Sequence, residues 1–195
     1  FHQIKKPFTG LSVEYPILAL KALIHAAGQN EYPKREWEIF LSTECRGNDD
    51  VRFSAFTACM VSNLPDGPLA AFLHSATDWF SKAGILISSE FPDVYHKAIT
   101  KFIDVILSHP SAARSALLPT KTNRDWVFES INAPAGHIAN VLVNYPGLDE
   151  LQEESGFPDE WLELAENLLS LQGAPRQHAI VIFSLHLNWL FHFEV

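Results

Sequence analysis

Apolar residues recur at three- and four-residue spacing along almost the whole chain, and a proline stands where most of these runs begin. The proline ring holds a helical φ, and its missing N–H is harmless in a first turn. Pro16 precedes Ile17, Leu20, Leu23 and Ile24, which share one helical face. That run should close at Gly28-Gln29-Asn30. Pro33 opens a helix carrying Trp37, Phe40 and Leu41, and Gly47-Asn48 separates it from a third with Phe53, Phe56 and Met60 aligned. The turn cluster Leu64-Pro65-Asp66-Gly67-Pro68 leads into Leu69, Phe72, Leu73, Ala76 and Phe80, with Gly84 expected as a left-handed cap. Ile85-Leu86-Ile87 is too short to establish a strand. From Pro92 the stripe Tyr95, Ala98, Ile99, Phe102, Ile103 and Ile106 predicts a long helix that Ser108-His109-Pro110 ends.

The second half repeats the pattern. A short helical turn is expected over Ala112–Leu117. Lys121-Thr122-Asn123 punctuates the chain, with Asn123 as N-cap for Arg124–Ser130. Asn132-Ala133-Pro134 breaks and restarts the helix, which continues through His137, Val141 and Leu142 to Tyr145-Pro146-Gly147. Pro158 opens Trp161–Leu171 and Gly173 closes it. Pro175 opens a last helix running to the end of the chain, with Ile180, Phe183, Leu187, Leu190 and Phe191 available for burial. No segment alternates apolar and polar residues long enough to form a strand. The expected fold is all-α, an irregular helical-repeat bundle of HEAT or armadillo type with about eight to ten short helices. Residues 1–195 are expected to form a single helical domain, whose natural subdivision would be 1–119 and 120–195. The chain begins at Phe1 and ends inside helical pattern, which is the expectation for an excerpt of a longer polypeptide.

Composition suits a sizeable core: 47% of residues are hydrophobic and only 19% charged. Fourteen Phe, five Trp and four Tyr are a surplus for a helical protein of this size, so part of it is expected on a surface that covers something else. Net charge is −9, and Lys and Arg cluster no further than pairs such as Lys5-Lys6. Neither a nucleic acid nor an anionic membrane is therefore an expected partner. No apolar run reaches the roughly 18 residues of a membrane span, and no leader pattern occurs, so a cytoplasmic protein is expected. Cys45 and Cys59 read as free thiols, with no metal-binding spacing.

Candidate chemistry is sparse. His178 and His186 lie eight apart with His192 beyond, but no histidine pair has the three- or four-residue spacing of helical metal ligands. His109 and His137 read as capping or packing groups. Asp149, Glu150, Glu153 and Glu154 lack the spacing of a calcium loop and read as a solvated face. Nucleophile elbows and phosphate-binding glycine loops are missing from the sequence, so no catalytic residue, metal or cofactor is expected. One stretch stands out, Asp125 to Ile138, where two helices join through Asn-x-Pro-x-Gly. Asn132 can cap the second helix, Pro134 suits its first turn, and Gly136 permits close approach. Trp126 would pack beneath this corner. Trp126, Asn132, Pro134, Gly136 and His137 are thus the candidate site, as a structural corner or as an interaction surface.

Trp126, Asn132, Pro134, Ala135, Gly136 and Ile138 form the pattern W-x-x-x-x-x-N-x-P-A-G-x-[IL]. Phe157-Pro158-Asp159-Glu160-Trp161 follows, then Arg176 to Val181, then Leu187-Asn188-Trp189-Leu190-Phe191. In that order these motifs resemble the C-terminal helical region, a domain of unknown function, of large bacterial proteins with a sirtuin-like NAD-consuming domain, associated with antiphage defence. The resemblance covers Asn123 to Phe193. Two positions depart from it: Ala133 follows Asn132 where a His-Pro pair is expected, and no Asp-Pro continuation follows the last motif. It implies a non-enzymatic scaffold or sensor region that packs against other domains of the same polypeptide and takes a protein trigger or a homo-oligomeric partner. Catalytic residues of such a protein would lie elsewhere. The competing expectations are a stand-alone hydrolase or metal-dependent enzyme with a dispersed site, and a simple oligomerisation bundle.

Overall fold

Pro16, Pro92, Pro134 and Pro175 each stand in the first turn of a helix, while Pro33, Pro65 and Pro158 hold the extended residue just before one. The computed structural model describes residues 5–47, 49–115, 125–145, 148 and 156–187. Within them are α1 (Lys5–Glu14), α2 (Pro16–Gly28), α3 (Lys34–Phe40), α4 (Thr43–Arg46), α5 (Val51–Ser62), α6 (Asp66–Ala71), α7 (Leu73–Glu90), α8 (Pro92–Ser108), α9 (Trp126–Ile131), α10 (Pro134–Val143), α11 (Asp159–Leu169) and α12 (Ala174–Leu185). No strand occurs among the described residues. The helices pack on one another as an all-α bundle. Their number exceeds the expected eight to ten because α1, α4 and α6 are separate short elements whose apolar residues are too few to show a period.

α10 lies at the centre, packed against α7, α8, α9, α11 and α12. Every residue of it except Asn140 is buried. α5, α7 and α8 pack mutually on one side, and α1 packs against α2, α3 and α4 at the N-terminal end. A continuous apolar cluster runs from Leu20 and Trp37 through Phe80, Tyr95 and Phe102 to Ile138, Leu142, Trp161 and Phe183. Much of the aromatic surplus is spent here. Trp37 stacks on Phe72 at 5.3 Å, and Phe80 meets Phe102 edge-on at 5.4 Å, geometries that suit the ring quadrupoles. Cys45 and Cys59 are both free thiols, the first buried and the second half-buried.

Several expectations from spacing shift once packing is known. α2 does end at Gly28, with Asn30 in the left-handed region at φ 60°, but Ile17 is exposed and the buried face is Ala19, Leu20 and Leu23. α5 turns Ala55, Ala58 and Val61 inward and leaves Phe56 48% exposed. Small residues let α5 sit close to α7 and α8, and Ser62 disposes of its hydroxyl by donating to the Ala58 carbonyl at 2.6 Å. Gly84 is no cap: α7 runs through it to Glu90, carrying Ile85, Leu86 and Ile87 as helix. The Phe80 ring lies over Gly84, 3.2 Å from where a Cβ would stand. The final stripe is also revised, since Ile180 and Leu187 are exposed while Phe183 is buried. The turn expected over Ala112–Leu117 is described only to Ser115, and Asn123, Asp149 to Glu154, Leu190 and Phe191 lie outside the described residues.

The register of α5 makes a prediction. Phe102→Ala, at a fully buried site, should destabilise by about 3 to 5 kcal/mol. Phe56→Ala should change stability by about 0.5 kcal/mol or less. Urea titrations of both variants check this, and a Phe56 effect as large as that of Phe102 would mean that α5 presents its other face to the core.

Candidate functional site at the α9–α10 corner

The chain leaves α9 and enters α10 within two residues, Asn132 and Ala133. Asp125 caps the start of α9, accepting from the Phe128 N–H at 2.9 Å. Asn132 closes the end of α9 rather than capping α10. Its side-chain amide donates to the Phe128 carbonyl at 2.8 Å, and the N-cap of α10 is Ala133, whose methyl cannot accept a hydrogen bond. The position was right and the helix it serves was not, because asparagine can satisfy orphan carbonyls at a C-terminus as well as orphan N–H groups at a start. Pro134 occupies the first turn of α10 and is buried.

Gly136 is where the two helices meet. A Cβ on it would lie 1.8 Å from the Ser130 carbonyl oxygen and 2.7 Å from the carbonyl carbon. Backbone cannot give way as a flexible side chain does, so only a residue without Cβ fits. Trp126 is half-buried, and its ring centroid lies 6.2 Å from that of His178 on α12. It packs toward α12 and is less covered than a residue sealed beneath the turn.

His137 is 5% exposed, with Nδ1 3.0 Å from the Thr77 hydroxyl of α7. The same hydroxyl lies 3.0 Å from the Leu73 carbonyl. The His74 ring stands edge-on to His137 at 5.2 Å. Burial first, and then the neighbouring His74, hold His137 down at about 4, so its imidazole is neutral at neutral pH. A second buried pair lies under α9, where His178 Nε2 is 3.9 Å from Glu129 Oε2. Together these side chains form a polar seam joining α7, α9, α10 and α12.

A hydroxyl at hydrogen-bond distance from an imidazole has the geometry of an activated nucleophile. Here Thr77 is fully buried and His137 nearly so, and both serve to join α7 to α10. Among the described residues no three His, Cys, Asp or Glu side chains converge as a metal site. His109 hydrogen-bonds its neighbour Ser108 at 2.9 Å, and His192 lies outside the described residues. Spacing had no means of finding Thr77 or His74, since the hydrogen bond joins residues 60 apart in sequence.

A second buried charge lies away from the corner. Arg46 packs over the Phe40 ring at 4.2 Å, donates from Nη2 to the Ser12 carbonyl at 2.5 Å and pairs with Asp49 at 3.2 Å. Burial raises Asp49 to about 6 despite the pull of Arg46. The arrangement ties α1 to the α4–α5 turn.

Compared with protein-family models, characterised proteins and solved structures, the chain matches none.

Two outcomes follow. Gly136→Ala should destabilise by about 3 kcal/mol, since the new methyl meets backbone. Gly10→Ala in α1, where nothing lies within 4 Å, should be neutral or slightly stabilising. Thermal melting of both checks the contrast. His137 and Asp49 contribute to acid stability with opposite sign. The folded pKa of His137 lies below the ordinary 6.5, so the unfolded chain binds the extra proton and stability falls as pH drops from 6.5 toward 4. Asp49 is raised above its ordinary 3.8, so its contribution is lost as pH rises from 3.8 through about 6. Between pH 7 and 4.5, His137→Gln should therefore lose less melting temperature than the parent, and Asp49→Asn more. Identical acid losses in parent and His137→Gln would show that this imidazole titrates normally.

Proposed function

We propose that this chain is a non-enzymatic interaction region of a cytoplasmic bacterial antiphage defence protein, a helical scaffold or sensor packed against a separate effector domain. One observation carries the reading. Four of the residues that carry the family resemblance, Pro134, Ala135, Gly136 and Ile138, are consumed in packing, while Val127, Phe128 and Ile131 on the adjoining α9 are left exposed. The corner positions a helix, and the large apolar side chains beside it stand ready for contact. Net charge of −9 with no basic cluster favours a protein partner over a nucleic acid. No described helix is long and apolar enough to cross a membrane.

The reading predicts that NAD supplied to this chain alone yields no nicotinamide, as followed by chromatography. Turnover abolished by a point change within the chain would overturn it. In the full-length protein, Phe128→Ser should leave melting of the helical region unchanged while abolishing protection of cells challenged with phage. Full protection retained by Phe128→Ser, Val127→Ser and Ile131→Ser together would remove this face from the proposal.

A further inference from the structure

Among the described residues, the largest cluster of exposed apolar side chains in one short stretch lies at the α1–α2 junction. Pro16 disfavours helical backbone at the residue before it, and Tyr15 accordingly leaves the helix at φ −136°, ψ 61°. The break throws four large side chains outward: Val13 is 50% exposed, Tyr15 60%, Ile17 57% and Leu18 56%. They are not residues that α2 failed to bury for want of a core, because Ala19, Leu20 and Leu23 fill its inner face. Glu14, Tyr15, Pro16, Ile17, Leu18 and Lys21 line a shallow groove over this junction. Its centre is apolar and its two charges have opposite sign. Neither Glu14 nor Lys21 forms an ion pair among the described residues.

We propose that this groove is a self-association surface occupied by the same groove of a second copy of the chain. Glu14 and Lys21 bracket Tyr15, Ile17 and Leu18 in sequence, Glu14 ending α1 and Lys21 lying one turn beyond Ile17 and Leu18 on α2. In a two-fold contact, a residue of one copy that meets a second residue of the other is matched by the reverse pair across the axis. With the axis through Ile17 and Leu18, Glu14 of one copy faces Lys21 of the other, twice, around a dehydrated apolar centre. A patch of this kind offers a few hundred Å², below the ~800 Å² per partner of a stable interface. The dimer is therefore weak and reversible, and local concentration on a larger assembly would favour it. This deepens the interaction-region reading by naming a surface, and it stands independently of any role in defence: a chain that dimerises without contributing to protection fails the earlier reading and leaves this one intact.

Sedimentation equilibrium of the 195-residue chain over about a hundred-fold range of concentration tests it. The parent should shift from monomer toward dimer as concentration rises. Ile17→Ser with Leu18→Ser should remain monomeric with an unchanged helical circular dichroism signal, because both side chains already face solvent. Glu14→Lys alone and Lys21→Glu alone should each weaken association tenfold or more, and the two together in one chain should restore it. A parent that stays monomeric throughout overturns the proposal. So does a dimer that is indifferent to both charge reversals, or one that the double reversal fails to restore, since either places the contact elsewhere.

Discussion

The first turn of α10 rests on the carbonyl of Ser130, and the arrangement of the bundle depends on that contact. It is possible only because residue 136 has no Cβ. The approach fixes α10 against α9, and α7, α8, α11 and α12 then close around it. A helix buried along nearly its whole length leaves little room for water at its end groups. The far end of α10 does this with neighbours' side chains. The Tyr95 hydroxyl of α8 donates to the Val141 carbonyl at 3.2 Å, and the Trp161 indole of α11 donates to the Leu142 carbonyl at 2.8 Å. Two aromatic residues thus fill core volume with their rings and give last-turn carbonyls a side-chain donor with their polar tips. The side chain of Asn144 supplies a third donor, to Asn140 at 2.7 Å.

Much of this was legible in the sequence, and the reasons are local. Proline restricts φ wherever it stands, so Pro16, Pro92 and Pro175 mark helix starts irrespective of tertiary context. The stripe from Tyr95 to Ile106 is wholly buried because α8 packs through one broad apolar face, the case in which a 3.6-residue period is most informative. The close approach at Gly136 was also readable, as a glycine in the first turn of a helix that follows so short a connection marks where backbone comes near backbone.

What escaped the sequence depends on partners far along the chain. Spacing alone points to Phe53, Phe56 and Met60 as the inner face of α5. The buried face is Ala55, Ala58 and Val61, with Phe53 half-buried against Phe40 and Phe56 exposed, because α5 is set against α7 and α8 by its small residues. Gly84 has the local signature of a cap, yet it sits mid-helix under the Phe80 ring, where α7 continues because its apolar face still has α8 to cover. At Gly84 tertiary contact outweighs a propensity of about 1 kcal/mol. The corner was found as a motif, while its chemistry was not: Thr77 and His74 lie on α7, some 60 residues from His137, and neither they nor Glu129 on α9 belong to the motif's pattern.

The polar seam bears on why a core this apolar would keep charged and titratable groups at all. Replacing Thr77 and His137, or Glu129 and His178, by apolar residues of similar shape would remove desolvation penalties that the pairs only partly offset. Their value lies in directionality. Apolar faces of α7, α9, α10 and α12 slide past one another at little expense, because hydrophobic attraction is non-directional. A hydroxyl that must meet Nδ1 at 3.0 Å and a carboxylate that must lie beside a buried imidazole each permit one register only. The Ser130–Gly136 contact sets how near α9 and α10 come, and the seam sets where along their lengths the surrounding helices stop. A bundle fixed in both respects holds its outer faces rigid, and surfaces such as the α1–α2 groove and the outer side of α9 can then offer a partner the same geometry at every encounter.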